Sequence, residues 1–451
     1  MNMFNDFTRS RAAWCLPVLI GAAVCTSACS GGADSGTGAG GNKGVTAGTT
    51  DDRPKQPIEL TVYAAGVSPE EFDSRFRDVL KAKFPHITIQ YRTNTKGNSL
   101  EELVSAGMVP DLIRTDIPTL KSSYLDLELG YDLTELIKAN RYDMSRFDPS
   151  FTQEMADAGR TGAIYGLPVP PYFPTVLYYN KTLFDKFGVP YPRDGMTWDE
   201  VYETAKKMSR SEGGTVYRGF SANFNSILRD NPFSLPVLDP ITDKLADLET
   251  WKKIFNNYKR FYDLPNNTVE KTMNEENNVF GKGNVAMQAN QHNIYLIIPP
   301  EINWDIVSQP MMADAPKRTG QRGPAYWSIT RQSRHKEEAF RVIMEMLTDE
   351  VQLEDAKKGI PTTLVKKEIR DALGQGHPVY GSKNMKAISY NEPSAPTPKR
   401  KPELTDINGG SQTSVLYQQF IPFAQGKKDV NTALRDVEES LKKLLEQEKN
   451  K

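Results

Sequence analysis

Between residues 58 and 116 the apolar residues change period repeatedly, and this alternation limits the fold more than any other feature. Ile58, Leu60, Val62 and Ala64 alternate with polar neighbours, which is the period of a strand. Ser68-Pro69-Glu70-Glu71 then supplies an N-cap, a Pro at the first helical position and a Glu three residues after the cap. Phe72, Phe76, Val79 and Leu80 follow at helical spacing. Ile87, Ile89 and Tyr91 return to the strand period, Ser99-Leu100-Glu101-Glu102 is a second capping box, and Pro110-Asp111-Leu112-Ile113 opens a third strand. Strand, helix, strand, helix, strand is a βαβαβ pattern, so a parallel sheet with right-handed crossovers is expected. The fold class is α/β. Ligands of open α/β sheets sit beyond the carboxyl ends of the strands, which points to the loops around 66–68 and 114–116.

The rest of the chain keeps this style. Val176 to Tyr179 reads as a strand, and Thr197-Trp198-Asp199-Glu200 as another capping box opening a helix through Met208. Trp304 to Val307 reads as a strand, and the apolar positions from Ala339 to Leu347 as one helix running past Val351. Val430, Leu434, Val437, Leu441 and Leu444 mark an amphipathic terminal helix. Four prolines between residues 393 and 402 make 391–407 a loop or a crossing segment.

Several chemistries are excluded. The net charge is −1, so no excess of cations recommends nucleic acid as a partner. No GxGxxG follows the first strand and no GxxxxGK[ST] occurs, so nucleotide cofactors lack a phosphate cradle. All three cysteines (Cys15, Cys25, Cys29) precede residue 30, which removes thiol catalysis, thiolate metal sites and disulfides from the body. The four histidines are not spaced as HExxH or HxxxH, and no metal site or cofactor is expected.

Residues 1–28 read as a signal peptide: Arg9 and Arg11 precede an apolar run at 12–28 that is too short for a stable span. Thr26-Ser27-Ala28-Cys29 resembles the lipobox of bacterial lipoproteins, with Thr26 standing where that motif usually carries Leu. The resemblance implies acylation (palmitate) at Cys29 and an extracytoplasmic protein anchored to the cell membrane; plain cleavage after Ala28 is the alternative. Seventeen of the 21 residues at 30–50 are Gly, Ser, Thr or Ala, so 29–57 is expected to be a flexible tether. Its root-mean-square reach would be roughly 25 Å.

Motifs in order carry a second resemblance. Ala106-Gly107-Met108-Val109-Pro110-Asp111-Leu112 is followed by Tyr165-Gly166-Leu167-Pro168 and by Leu177-Tyr178-Tyr179-Asn180-Lys181-Thr182-Leu183-Phe184. Thr197-Trp198-Asp199-Glu200, then Phe280-Gly281-Lys282-Gly283-Asn284-Val285-Ala286-Met287, then Gly359-Ile360-Pro361-Thr362 complete the series. Together they resemble the sugar-type extracellular solute-binding proteins, family 1, of ABC importers, over most of 58–446. The resemblance implies a two-lobed periplasmic-binding-protein-like fold of type II, with a hinge of crossing segments and a ligand cleft between the lobes. Lobe one would be 58–168 plus 324–370, and lobe two 169–323 plus 371–451. It implies a monomer, not an enzyme, that delivers a carbohydrate, an oligosaccharide by preference, to permease subunits in the membrane.

A sugar site needs aromatic platforms for C–H faces and planar polar groups for hydroxyls. The candidates are Tyr172 and Phe173 before the Tyr-Tyr-Asn strand, Trp327 as a stacking platform or a hinge packing residue, Asp116 at the end of the third strand, and Asn290 after Met287. Tyr178, Tyr179 and Trp198 read as core. A surface sensor or adhesin that binds sugar is one rival. A glycoside hydrolase is another, for which Asp111, Asp116, Glu275 and Glu276 could be nominated, but no segment singles out an acid and a nucleophile.

Overall fold

A computed structural model of the protein describes residues 56–293 and 298–450. The signal peptide, Cys29 and the tether up to residue 55 lie outside the described residues. The strands are β1 (Ile58–Ala64), β2 (Ile87–Arg92), β3 (Leu112–Asp116), β4 (Leu167–Val169), β5 (Phe173–Asn180), β6 (Arg210–Glu212), β7 (Thr215–Tyr217), β8 (Ser221–Ala222), β9 (Met287–Gln291), β10 (Trp304–Ser308), β11 (Gln321–Arg322) and β12 (Ala325–Ile329).

They form two main sheets, ordered β2-β1-β3-β12-β4 and β10-β5-β9-β8, with β11 paired to β5 and a β6-β7 hairpin apart. The βαβαβ expectation holds, since β1 pairs in parallel with both β2 and β3. The local signals act as read. Ser68 Oγ accepts from the Glu71 N–H, and the boxes at Ser99 and Thr197 are closed in both directions. One expectation needs correcting. The helix expected to run past Val351 is two helices, Lys336–Met346 and Asp349–Lys357. Thr348 is extended and its side chain accepts from the Val351 N–H, so a new N-cap with Asp349 and Glu350 behind it restarts the helix.

Each sheet has its own core. In the first, Leu60, Val62, Leu112, Trp327 and Ile329 pack on one face with Phe340 and Ile343, while Tyr63, Ile113 and Tyr326 pack on the other with Leu103 and Tyr124. In the second, Leu177, Tyr179, Met287 and Ala289 meet the helices Trp198–Met208, Leu248–Tyr262 and Val430–Lys449, and Val176, Tyr178 and Trp304 face Tyr380 and Ile388. Burying each of these large side chains contributes about 1.5–3 kcal/mol. Two lobes result.

The chain leaves the first core at 170–172 and returns at 323–324, and a third passage joins Ala372 of the first core to Tyr380 of the second. Register places the first two passages at one edge, because Ala325 lies opposite both Asp116 and Val169. That edge of the first sheet faces the second lobe.

Candidate functional site: the interlobe edge

A cavity of about 190 Å³ opens at this edge and is lined from both lobes. Ile117 and Pro118 follow β3 directly, Glu154 comes from the helix Pro149–Ala158, and Gly323 belongs to the returning passage. Opposite them stand Arg229 and Asp230 at the end of the helix Phe224–Arg229, with Lys399. Arg229 donates to both Asp230 oxygens, from Nε at 2.6 Å and Nη2 at 2.7 Å, so this planar pair is held in one orientation. Gly323 has a steric reason: a Cβ there would lie 1.8 Å from Glu154 Oε2. The rim is tied across the lobes by weak links. Asn408 Nδ2 donates to Ser122 Oγ at 2.7 Å, Lys121 pairs with Glu448 at 2.9 Å, and Arg160 donates to the Lys401 and Leu404 carbonyls. Such partly exposed ties contribute at most about 1 kcal/mol each.

Burial pushes the Glu154 carboxyl above its ordinary value, against the lowering effects of Lys399 and of the Tyr326 hydroxyl that donates to it at 3.3 Å. The folded chain therefore holds this proton more tightly than the unfolded chain does. Its contribution to stability is full below the ordinary carboxylate range and is lost as pH rises through the folded value. Glu154→Gln should match the wild type in urea unfolding at pH 4 and exceed it at pH 8. Equal stability of the two at both pH values would show that the carboxyl is not held neutral.

The structure does not gather the five expected ligand residues into one site. Asp116, half-buried, ends β3 one residue before Ile117, which lines the cavity, but does not itself line it. Tyr172 packs on the Phe151 ring at 5.4 Å, in a crevice of only about 10 Å³ with Pro361 and Arg370, too small for a sugar ring. Phe173 lies 5.9 Å from the His292 ring, whose imidazole burial pushes down to about 3 and keeps neutral. Asn290 is fully buried and donates to Asn277 Oδ1 at 2.6 Å. Trp327 is 2% exposed and meets Phe72 edge-on at 6.4 Å, so its ring is packed in the core rather than presented to the cleft.

Three of the four carboxylates open to a hydrolase reading, all but Asp116, are engaged elsewhere. Asp111 accepts from the Thr61 N–H and Ser333 Oγ, Glu275 closes a capping box with Thr272, and Glu276 is fully buried against Arg218 Nη2 at 2.6 Å. No group of three or more His, Cys, Asp or Glu that could hold a metal ion occurs among the described residues.

Sequence reasoning missed Glu154, Arg229, Asp230 and Lys399. The only local signal is Arg229-Asp230-Asn231-Pro232, a charged pair at a helix end just before a proline.

Comparison with known proteins settles the lineage. Residues 66–353, more than half of the chain, match the family model described as bacterial extracellular solute-binding protein. The chain belongs to this family. An uncharacterized ABC transporter extracellular-binding protein of Pyrococcus horikoshii is 26% identical over 188 residues, and the match spans 38% of this chain and 39% of that relative. Among solved structures, a sugar transporter from Rhizobium etli in an open conformation matches with TM-score 0.67 and 18% identity, over 85% of this chain and 99% of that one. An ABC substrate-binding protein from Listeria monocytogenes in complex with cycloalternan matches with TM-score 0.63 and 18% identity, over 86% and 99%. The two-lobed α/β fold expected for a solute-binding protein is thus the fold found. Among the described residues no helix is long and apolar enough to cross a membrane.

Proposed function

We propose that this solute-binding protein captures a carbohydrate outside the cytoplasm and delivers it to the membrane permease of an ABC importer. The observation that carries the reading is the cavity lined from both lobes at the edge where the chain passes between them. Its lining of carboxylate, guanidinium and ammonium groups suits a ligand made of hydroxyls. The names of the relatives, an ABC transporter binding protein and proteins that handle sugars, support the same reading.

The proposal extends to the arrangement around the site. Lobe one is taken as 58–168 plus 324–370 and lobe two as 169–323 plus 371–451, acting as a monomer. Asp116 is the leading ligand contact, with Tyr172, Phe173, Asn290 and Trp327 acting at one remove unless lobe movement uncovers them. Cys29 carries the lipid and residues 30–57 the leash. Mass spectrometry of the native N-terminus tests that part, and an unmodified Cys29 rejects it.

Closure is the decisive test. Passages grouped at one edge allow the lobes to rotate as rigid bodies about a few backbone bonds. A sugar panel screened by thermal shift should give a ligand that stabilises by about 2.7 kcal/mol at 100 times its Kd. Small-angle scattering with that ligand should give a smaller radius of gyration. An unchanged radius at saturation argues for a rigid receptor.

A further inference from the structure

Arg114 lies on β3 two residues before Asp116, and its strand partners in register are Ala64 of β1 and Trp327 of β12. Directly opposed residues project from the same face of a sheet, so these three side chains are neighbours. The nearby Arg75 is fully claimed. Asp355 takes its Nε and Nη2, Glu71 its Nη1 at 3.3 Å, and the Pro170 carbonyl, at the outgoing passage, accepts from Nη2 at 3.1 Å. That contact ties the cluster to the interlobe edge.

Arg114 has no such company. Among the described residues its guanidinium makes no hydrogen bond and no ion pair within 4.0 Å, although it is half-buried. Burial, with Arg75 close by, lowers its pKa to about 10, and Glu71, already bonded to Arg75, offsets only part of this. Beside it the Trp327 Nε1–H is buried and finds no acceptor among the described residues. Two adjacent strands thus bring these donors to one place, and neither is bonded to an acceptor among the described residues.

A fold does not keep an uncompensated guanidinium near its core for stability, because a desolvated, unpaired charge is unfavourable. A neutral polyol would leave that charge unanswered, whereas a carboxylate or phosphate matches the planar fork with two parallel hydrogen bonds. We propose that the solute is an acidic carbohydrate and that Arg114 receives its anionic group at the first-lobe edge of the cleft. This rests on the reading of the protein as a carbohydrate receptor and narrows it to uronic-acid or phosphorylated sugars.

The test uses the mature chain on an array of glycans in matched pairs: oligogalacturonates with their methyl esters, and sugar phosphates with their parent sugars. Inorganic phosphate is added as a competitor. Acidic members should bind at least tenfold tighter than their neutral partners. Competition by inorganic phosphate, or preference for the sugar phosphates, identifies phosphate as the group; preference for the uronates identifies carboxylate.

Arg114→Gln should weaken the acidic hit roughly 10- to 150-fold, the range for a hydrogen bond to a charged group. It should leave the melting temperature unchanged or higher, where loss of a merely structural arginine would lower it. Arg114→Lys should recover part of the affinity. Neutral and acidic partners binding within threefold of each other overturns the inference and leaves carbohydrate capture standing. Silence across the whole array overturns both. The wild-type array decides between these outcomes even if the variant fails to fold.

Discussion

Asp355→Ala is expected to lower the stability of the folded chain by about 3–5 kcal/mol. Arg75 and Asp355 are 280 residues apart in sequence, yet their side chains are 4% and 3% exposed and meet at 2.8 Å. Arg75 stands on a π-helical turn, Asp73–Arg77, inside the helical stretch that begins at Pro69, and Asp355 on the helix Asp349–Lys357. Their pairing, with the Pro170 carbonyl as a further acceptor, joins two helices of the first lobe to the outgoing passage. Removing the carboxylate leaves the guanidinium buried with Glu71 as its remaining charged partner. Glu71, 41% exposed, is the control, and Glu71→Ala should cost under about 1 kcal/mol. Replacing Arg75 and Asp355 together by Met and Leu should restore much of the loss, because an apolar pair of similar volume avoids the unpaired charge. Urea unfolding of the four proteins checks this. A loss below 1 kcal/mol for Asp355→Ala would mean that water reaches the pair.

Trp327→Ala should cost about 3–5 kcal/mol of stability, as expected for deleting a fully packed ring. The ring lies between strand neighbours on β3 and β4 and against Phe72, which itself stacks on Tyr91 at 4.4 Å. Little of the cavity left behind can collapse, because the strands on both sides are fixed by their hydrogen-bond ladders. Unfolding measured without ligand is therefore the primary readout. If the variant keeps wild-type stability and loses only sugar affinity, the ring is a platform exposed by lobe movement and its packing here is incidental.

The two tryptophan readings show where sequence stops informing. Helix starts were legible because their chemistry is local: Ser99 and Glu102, or Thr197 and Glu200, need only three residues to satisfy each other. The break at Thr348 is equally local, but it was masked by apolar residues that continue the helical period through it. Tyr326-Trp327 beside Gly and Pro reads as the rim of a cleft. It is instead part of a central strand covered on both faces, where alternation leaves no exposed side. The cavity was the least legible part. Glu154, Asp230 and Lys399 come from three distant segments, and nothing in any one of them encodes the meeting. Asp116 was nominated because strand ends follow a topological rule rather than a local one.

The position of β12 has a consequence for how the protein is made. It is inserted between β3 and β4, and every residue of the second lobe's main sheet precedes it in the chain. A growing chain thus holds two bare strand edges until residue 329 has emerged, and bare edges pair with whatever strand they meet. The sheet that begins first is thus the last of the two main sheets to close. The interval during which those edges stay bare carries a risk of misassembly.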